Sequence, residues 1–198
     1  MSFTKELLEQ LQVGPGMLVV IAAPRGGGKT YLATRIAGEL GMNRATTYYS
    51  LELTKAAVRR RMDDMGLPED LNCACVDLHV PPYTDESFIE SAQKARGDLL
   101  VLDSLDLMGK NDVPPHTRLK RSGHALAKDA LAEKRSWIVT VTARDDREGA
   151  LAEVADVWLQ PNWGTRCLNV MKSRYTRHGT TISMPNEWPM KNLRFPGV

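Results

Sequence analysis

The stretch Met17-Leu18-Val19-Val20-Ile21-Ala22-Ala23-Pro24-Arg25-Gly26-Gly27-Gly28-Lys29-Thr30-Tyr31 decides the fold. Its first seven residues form an apolar run of the length of a buried strand, and its end opens a helical pattern over 29–40. The spacing from Ala23 to Thr30 is that of a phosphate loop, with alanine at the first position, where glycine is usual. Three successive glycines let main-chain N–H groups turn inward without Cβ clashes, and the amino end of the helix adds partial positive charge. Lys29 is placed for the terminal phosphates and the Thr30 hydroxyl for magnesium. A Gly-rich strand-to-helix turn can be a mere tight connection, but Gly-Lys-Thr in this context argues against it. Pro24, Arg25, Gly26, Gly27, Gly28, Lys29, Thr30 and Tyr31 are thus the expected nucleotide-binding segment.

Outward from this loop, short β-branched or apolar runs alternate with helical patterns, as expected of an α/β domain with a mostly parallel central sheet flanked by helices. Strands are predicted at 17–23, 46–52, 72–77, 98–104, 137–143, 156–160, 168–174 and 180–184, the last two as a hairpin. Helices are predicted at 29–40, 54–65, 85–96 and 117–133. Residues 1–14 ahead of the first strand carry a short helix-like stretch over 3–11. Neither a repeat nor a linker interrupts the pattern, and residues 1–198 read as one domain.

A phosphate loop needs a metal-side carboxylate at the end of a neighbouring strand. Leu99-Leu100-Val101-Leu102-Asp103 supplies one, so Thr30 and Asp103 are the expected magnesium ligands, Asp103 through water and with Ser104 as support. Hydrolysis also needs a group to orient or deprotonate the attacking water. Glu52 closes the second predicted strand and emerges at the same carboxyl edge; its blander reading is an acid favoured by the dipole of the following helix.

At 198 residues, 42% hydrophobic and 25% charged, the composition is that of a soluble globular chain. The longest apolar run falls far short of the roughly 20 residues of a membrane span, and no signal-peptide pattern opens the chain; the expected location is cytoplasmic, with no membrane partner. Three cysteines with Cys73 and Cys75 one residue apart make no disulfide framework and read as buried strand thiols. The net charge of +2 hides an asymmetry, since residues 161–198 carry +5 and leave −3 on the remainder. Such a basic end fits phosphates or an acidic neighbour, or is a solvated face.

Several segments together resemble one family, the hexameric replicative helicases of the DnaB type, whose motor has a RecA-like fold. The resemblance runs over nearly the whole chain. The family's phosphate loop often opens on alanine, as at Ala23, and its next motif reads like Ser50-Leu51-Glu52-Leu53-Thr54-Lys55, with Arg61 further along. Val101-Leu102-Asp103-Ser104-Leu105-Asp106-Leu107-Met108, Leu126-Ala127-Lys128 and Ala155-Asp156-Val157-Trp158-Leu159 are similar to segments that follow. Val170-Met171-Lys172-Ser173-Arg174, with Gly179-Thr180-Thr181-Ile182 returning, resembles the strand whose Lys-x-Arg reaches a neighbour's nucleotide.

The resemblance implies ATP and Mg2+ as cofactors, Lys29 and Glu52 as catalytic residues, and Lys172 and Arg174 as catalytic groups acting in trans. It implies a homo-oligomer, a hexameric ring, on single-stranded DNA or else RNA. Lys110, Arg118, Lys120 and Arg121, with Arg144 and Arg147, are the nucleic-acid candidates, matched by no interleaved aromatic residues for base stacking. Two departures stand out: Ala143 occupies the place of a usual glutamine, and residues 144–149 make a shorter loop than the family's DNA-contacting one, with at least as many acids as bases. The amino-terminal collar domain of the family has no counterpart in the sequence, and the 3–11 stretch is expected either to pack on a neighbouring subunit, as the family's linker helix does, or to cover its own core. A recombination ATPase, a viral nucleic-acid packaging motor and a nucleotide-switched regulatory subunit with weak hydrolysis remain as alternatives.

Overall fold

The computed structural model of the chain describes residues 3–43, 45–69, 72–77, 85–95, 97–108, 113–143, 151–174, 176 and 179–185. Strands β1 (Leu18–Ala23), β2 (Thr46–Ser50), β3 (Cys73–Asp77), β4 (Leu99–Asp103), β5 (Ser136–Thr142), β6 (Val157–Asn162), β7 (Cys167–Ser173) and β8 (Thr181–Ser183) form one sheet in the order β3-β2-β4-β5-β1-β6-β7-β8. The run from β3 to β6 is parallel, and β7 and β8 add antiparallel at one edge. Helices α1 (Phe3–Gln10), α2 (Lys29–Gly41), α3 (Lys55–Asp64), α4 (Asp85–Gln93) and α5 (Pro115–Glu133) flank it. This is the α/β architecture the alternation predicts. The second strand, however, ends at Ser50: Leu51 N donates to the Asp103 carbonyl, Leu53 N to Ser50 Oγ, and Thr54 rather than Glu52 caps α3 by accepting from Ala57 N.

Period-two alternation along the central strands divides the core. Val19 and Ile21 of β1 pack with Leu7 of α1, Leu32 and Ile36 of α2, and Val58 and Met62 of α3. Leu18, Val20 and Ala22 pack on the other face with Phe88 of α4 and Leu119 and Leu126 of α5. Both faces being covered, the strands read as continuous apolar runs. The 3–11 stretch takes the second of its two expected places: Phe3, Leu7 and Leu11 are buried in the chain's own core, and Thr4 N donates to Glu39 Oε2 at 3.1 Å. Cys73 and Cys75 are free, buried strand thiols, as expected. Among the described residues no helix is long and apolar enough to cross a membrane.

One buried ionic cluster ties the second layer together. Arg135 Nε and Nη2 donate to Asp129 at 2.8 and 2.5 Å, Arg135 Nη1 to the Ala92 carbonyl at 2.8 Å, and Trp137 Nε1 to Asp129 Oδ2 at 2.7 Å. α4, α5 and β5 meet on these bonds. Removing the carboxylate leaves a buried guanidinium uncompensated, so Asp129→Ala is expected to cost about 3–5 kcal/mol. Breaking the exposed Arg121–Glu86 pair, 3.3 Å apart, by Arg121→Ala should cost less than about 1 kcal/mol. Urea unfolding of the two variants checks this, and equal costs would contradict it.

Candidate active site

The amino end of α2 follows β1 through a loop in which Gly26 and Gly28 hold φ of +76° and +73°. Gly28 caps the helix with no side-chain bond, so no side chain competes for its first amides. Behind the loop stands Trp163, from the turn joining β6 to β7. Its indole N–H donates to the Gly27 carbonyl at 2.8 Å, and its ring lies edge-on to Tyr31, 5.6 Å between centroids. A Cβ at Gly28 would fall 2.5 Å from that indole nitrogen, so the left-handed backbone and the aromatic wall both demand glycine here.

Asp103 ends β4 with no exposed surface, two strands from the loop. Thr140 Oγ1 donates to Asp103 Oδ1 at 2.5 Å, Tyr48 OH to Oδ2 at 2.9 Å, and Thr30 Oγ1 to Oδ1 at 3.2 Å. Burial, and next the Asp103 charge, push the Tyr48 hydroxyl well above its ordinary range, which keeps it a donor. The threonine hydroxyl and the carboxylate converge as a pair of hard oxygen ligands, and this donor set fits magnesium. Ser104 does not support Asp103 as expected. Its hydroxyl turns instead to Asp106 Oδ2 at 3.0 Å, and that same oxygen accepts from Thr142 N at 2.6 Å.

Loop and strand ends enclose a cleft of about 620 Å³ lined by Arg25, Gly26, Lys29, Leu51, Glu52, Asp106, Leu107, Arg118 and Thr142. Lys29 is buried in it. Partial desolvation first, then the charge of Asp103, raises the Glu52 carboxyl above the ordinary Glu value, while the charge of Lys29 pulls the other way. A more basic carboxylate facing the cleft is suited to accept a proton.

Lys172 and Arg174 lie at the opposite edge of the sheet. Arg174 N donates to the Asp156 carbonyl, and Asp156 N to that of Leu18, at the start of β1. The length of β1, roughly 17 Å, therefore separates Arg174 from the loop that follows β1, while Lys172 pairs with Trp158, level with Val20 partway along the strand. Arg174 Nε pairs with Asp156 Oδ1 at 2.5 Å, its side chain still 62% exposed, and Lys172 Nζ donates to the Ala152 carbonyl.

The nucleic-acid candidates divide. Arg118 lines the same cleft as Lys29 and Glu52 instead of a separate surface, with Nη2 donating to the Asp106 carbonyl at 3.0 Å. Lys120 and Arg121 are exposed and pair with Glu153 and Glu86. Lys110, Arg144 and Arg147 lie outside the described residues. Sequence reasoning missed Tyr48 and Thr140, although hydroxyl side chains inside fully buried strands must find partners and could have been read as facing a common acceptor. It also missed Trp163, for which an aromatic residue in a hairpin turn beside Gly164 was the available sign.

No known family's sequence profile matches the chain, and no curated protein does. Solved structures do match in fold. The RadB recombinase is 19% identical, with a TM-score of 0.66 over 89% of this chain and 91% of that one. The flagellar accessory protein FlaH from Methanocaldococcus jannaschii is 15% identical, with a TM-score of 0.64 over 89% and 88%. A third solved structure, an isolated ATPase domain, is 15% identical, with a TM-score of 0.71 over 93% and 91%. The fold is RecA-like.

Glu52 holds its proton more tightly in the folded chain than in the unfolded one, so its ionisation opposes folding once pH exceeds the ordinary Glu value. Glu52→Gln is expected to raise the thermal midpoint at neutral pH, with the gain vanishing below about pH 4, where both states of the native residue are protonated. Thermal melts across pH check this, and a pH-independent gain would contradict it.

Proposed function

We propose that the chain is an ATP-hydrolysing motor of the DnaB helicase type, acting on single-stranded nucleic acid as a ring or filament whose sites are completed at subunit interfaces. One observation carries this: Lys29, Glu52 and the Thr30–Asp103 pair converge on one edge of the sheet, while Lys172 and Arg174 stand at the other. The resemblance of fold to the solved ATPase domain and to the RadB recombinase agrees with it.

In this reading the glycine amides and the α2 terminus hold the β-phosphate, and Lys29 neutralises the β- and γ-oxygens. Thr30, and Asp103 through water, would hold magnesium, which would supply further charge neutralisation on those oxygens. Glu52 accepts a proton from the water that attacks the γ-phosphorus as the bond to the β–γ bridging oxygen breaks; ADP and phosphate leave. Arg174 and Lys172 of one copy meet the γ-phosphoryl group of the next, which their distance from their own loop favours. Single-stranded DNA is the proposed track, with RNA the other candidate.

ATP turnover measured across protein concentration, with and without single-stranded DNA or RNA, tests the proposal. Turnover is expected to rise cooperatively with protein concentration and to be stimulated by strands. Tight nucleotide binding with negligible turnover under every strand would favour a nucleotide-switched regulatory subunit, in keeping with Ala143. Glu52→Gln should keep nucleotide binding while lowering kcat by about 10²–10⁴-fold. Mixing Arg174→Ala with Lys29→Ala subunits should restore part of the activity. No rescue in mixtures shown to co-assemble would remove Arg174 from the trans role.

A further inference from the structure

We infer that Arg118 is a contact, made within the same chain, to the terminal phosphate of a bound nucleoside triphosphate. This inference rests on the nucleotide-binding reading of the cleft and assigns a residue of α5 to it. The cleft has two walls of unlike charge. One is the phosphate loop with Arg25, Gly26 and Lys29; the other is built by the segments after β2, β4 and β5, where Glu52 and Asp106 bring negative charge. A γ-phosphate held by the loop wall therefore faces two carboxylates. Among the described lining residues, Arg118 is the one cation on that wall.

Its position is fixed by main chain. Nη2 donates to the Asp106 carbonyl at 3.0 Å, and Asp106 is itself anchored through its carboxylate to Thr142 N at 2.6 Å and to Ser104 Oγ at 3.0 Å. The guanidinium is thus tied to the segment that follows Asp103, in a half-buried place where its charge is less screened than on the surface. A planar guanidinium stays ionised at all relevant pH and presents several N–H groups, so it can keep the Asp106 bond and still donate to phosphate oxygens. Lys120 and Arg121, one turn or less away on the same helix, are exposed and offer no such wall.

A diphosphate lacks the group Arg118 is placed to meet. The affinities of ADP and of the non-hydrolysable β,γ-imido analogue of ATP, each with magnesium, are to be measured by calorimetry on wild type, Arg118→Ala, Arg118→Lys and, as a control for the loop, Lys29→Ala. Arg118→Ala is expected to lose about 10- to 100-fold in affinity for the triphosphate while ADP binding stays within about twofold, and Arg118→Lys to recover part of the loss. A parallel loss for both nucleotides, or no loss for either, would overturn the assignment. So would weakened single-strand binding with a shallower salt dependence and unchanged nucleotide discrimination, which would make Arg118 a strand contact. Should Arg118→Ala fail to fold, Arg118→Lys and Arg118→Gln carry the same comparison. Wild type that binds neither nucleotide, with Lys29→Ala no different, would overturn the underlying nucleotide-binding reading and with it this assignment.

Discussion

The site depends on one buried charge. Asp103 lies inside the sheet at the carboxyl end of β4, where an unpaired carboxylate would cost several kcal/mol. Hydroxyls from β2, β5 and the start of α2 offset that cost, through Tyr48, Thr140 and Thr30. These three donors come from the strands on either side of β4 and from the helix leaving β1. The carboxylate is therefore stable only when the strand order β2-β4-β5-β1 and the phosphate loop are both in place. The fold and the orientation of the candidate metal-side carboxylate are satisfied by the same bonds, so Asp103 is held in place by the fold itself.

Much of this was legible because the strands are buried on both faces. Val19, Ile21, Leu100 and Leu102 sit in unbroken apolar runs that only a strand covered by helices on each side can bury, and Gly-Lys-Thr directly after one of them marks the loop. What local pattern could not show is which strands become neighbours. Tyr48 and Thr140 are far from Asp103 in sequence, and their common target exists only once β2 and β5 flank β4. Arg118 was hidden for a related reason. On a helical wheel it is one cation beside Lys120 and Arg121, and only the placement of α5 against the segment after β4 turns it inward. Glu52 was found by position, although the strand ends two residues earlier and a bend carries the side chain to the cleft.

Trp163 gives the β6–β7 hairpin a second task besides extending the sheet. At the turn it closes the back of the phosphate loop; at the far end of β7 stand Lys172 and Arg174. Asp156 binds the main chain of Leu18 through one oxygen and Arg174 through the other, so the basic end of the hairpin is registered on the same strand that launches the loop. Both ends of the hairpin are thus tied to β1, the turn through the loop that follows the strand and the basic end through Asp156 at its start.

Such a layout gives the molecule a direction. With an acceptor cleft at one edge of the sheet and a donor pair at the other, copies joined through them in the proposed assembly stand head to tail and share no two-fold axis. Each junction then repeats the same rotation and rise. A rise of zero with a rotation that divides a full turn closes the series, and any other rise winds it into a helix. A small change of angle where two copies touch thereby converts a closed ring into an open filament while every residue of the cleft keeps its place.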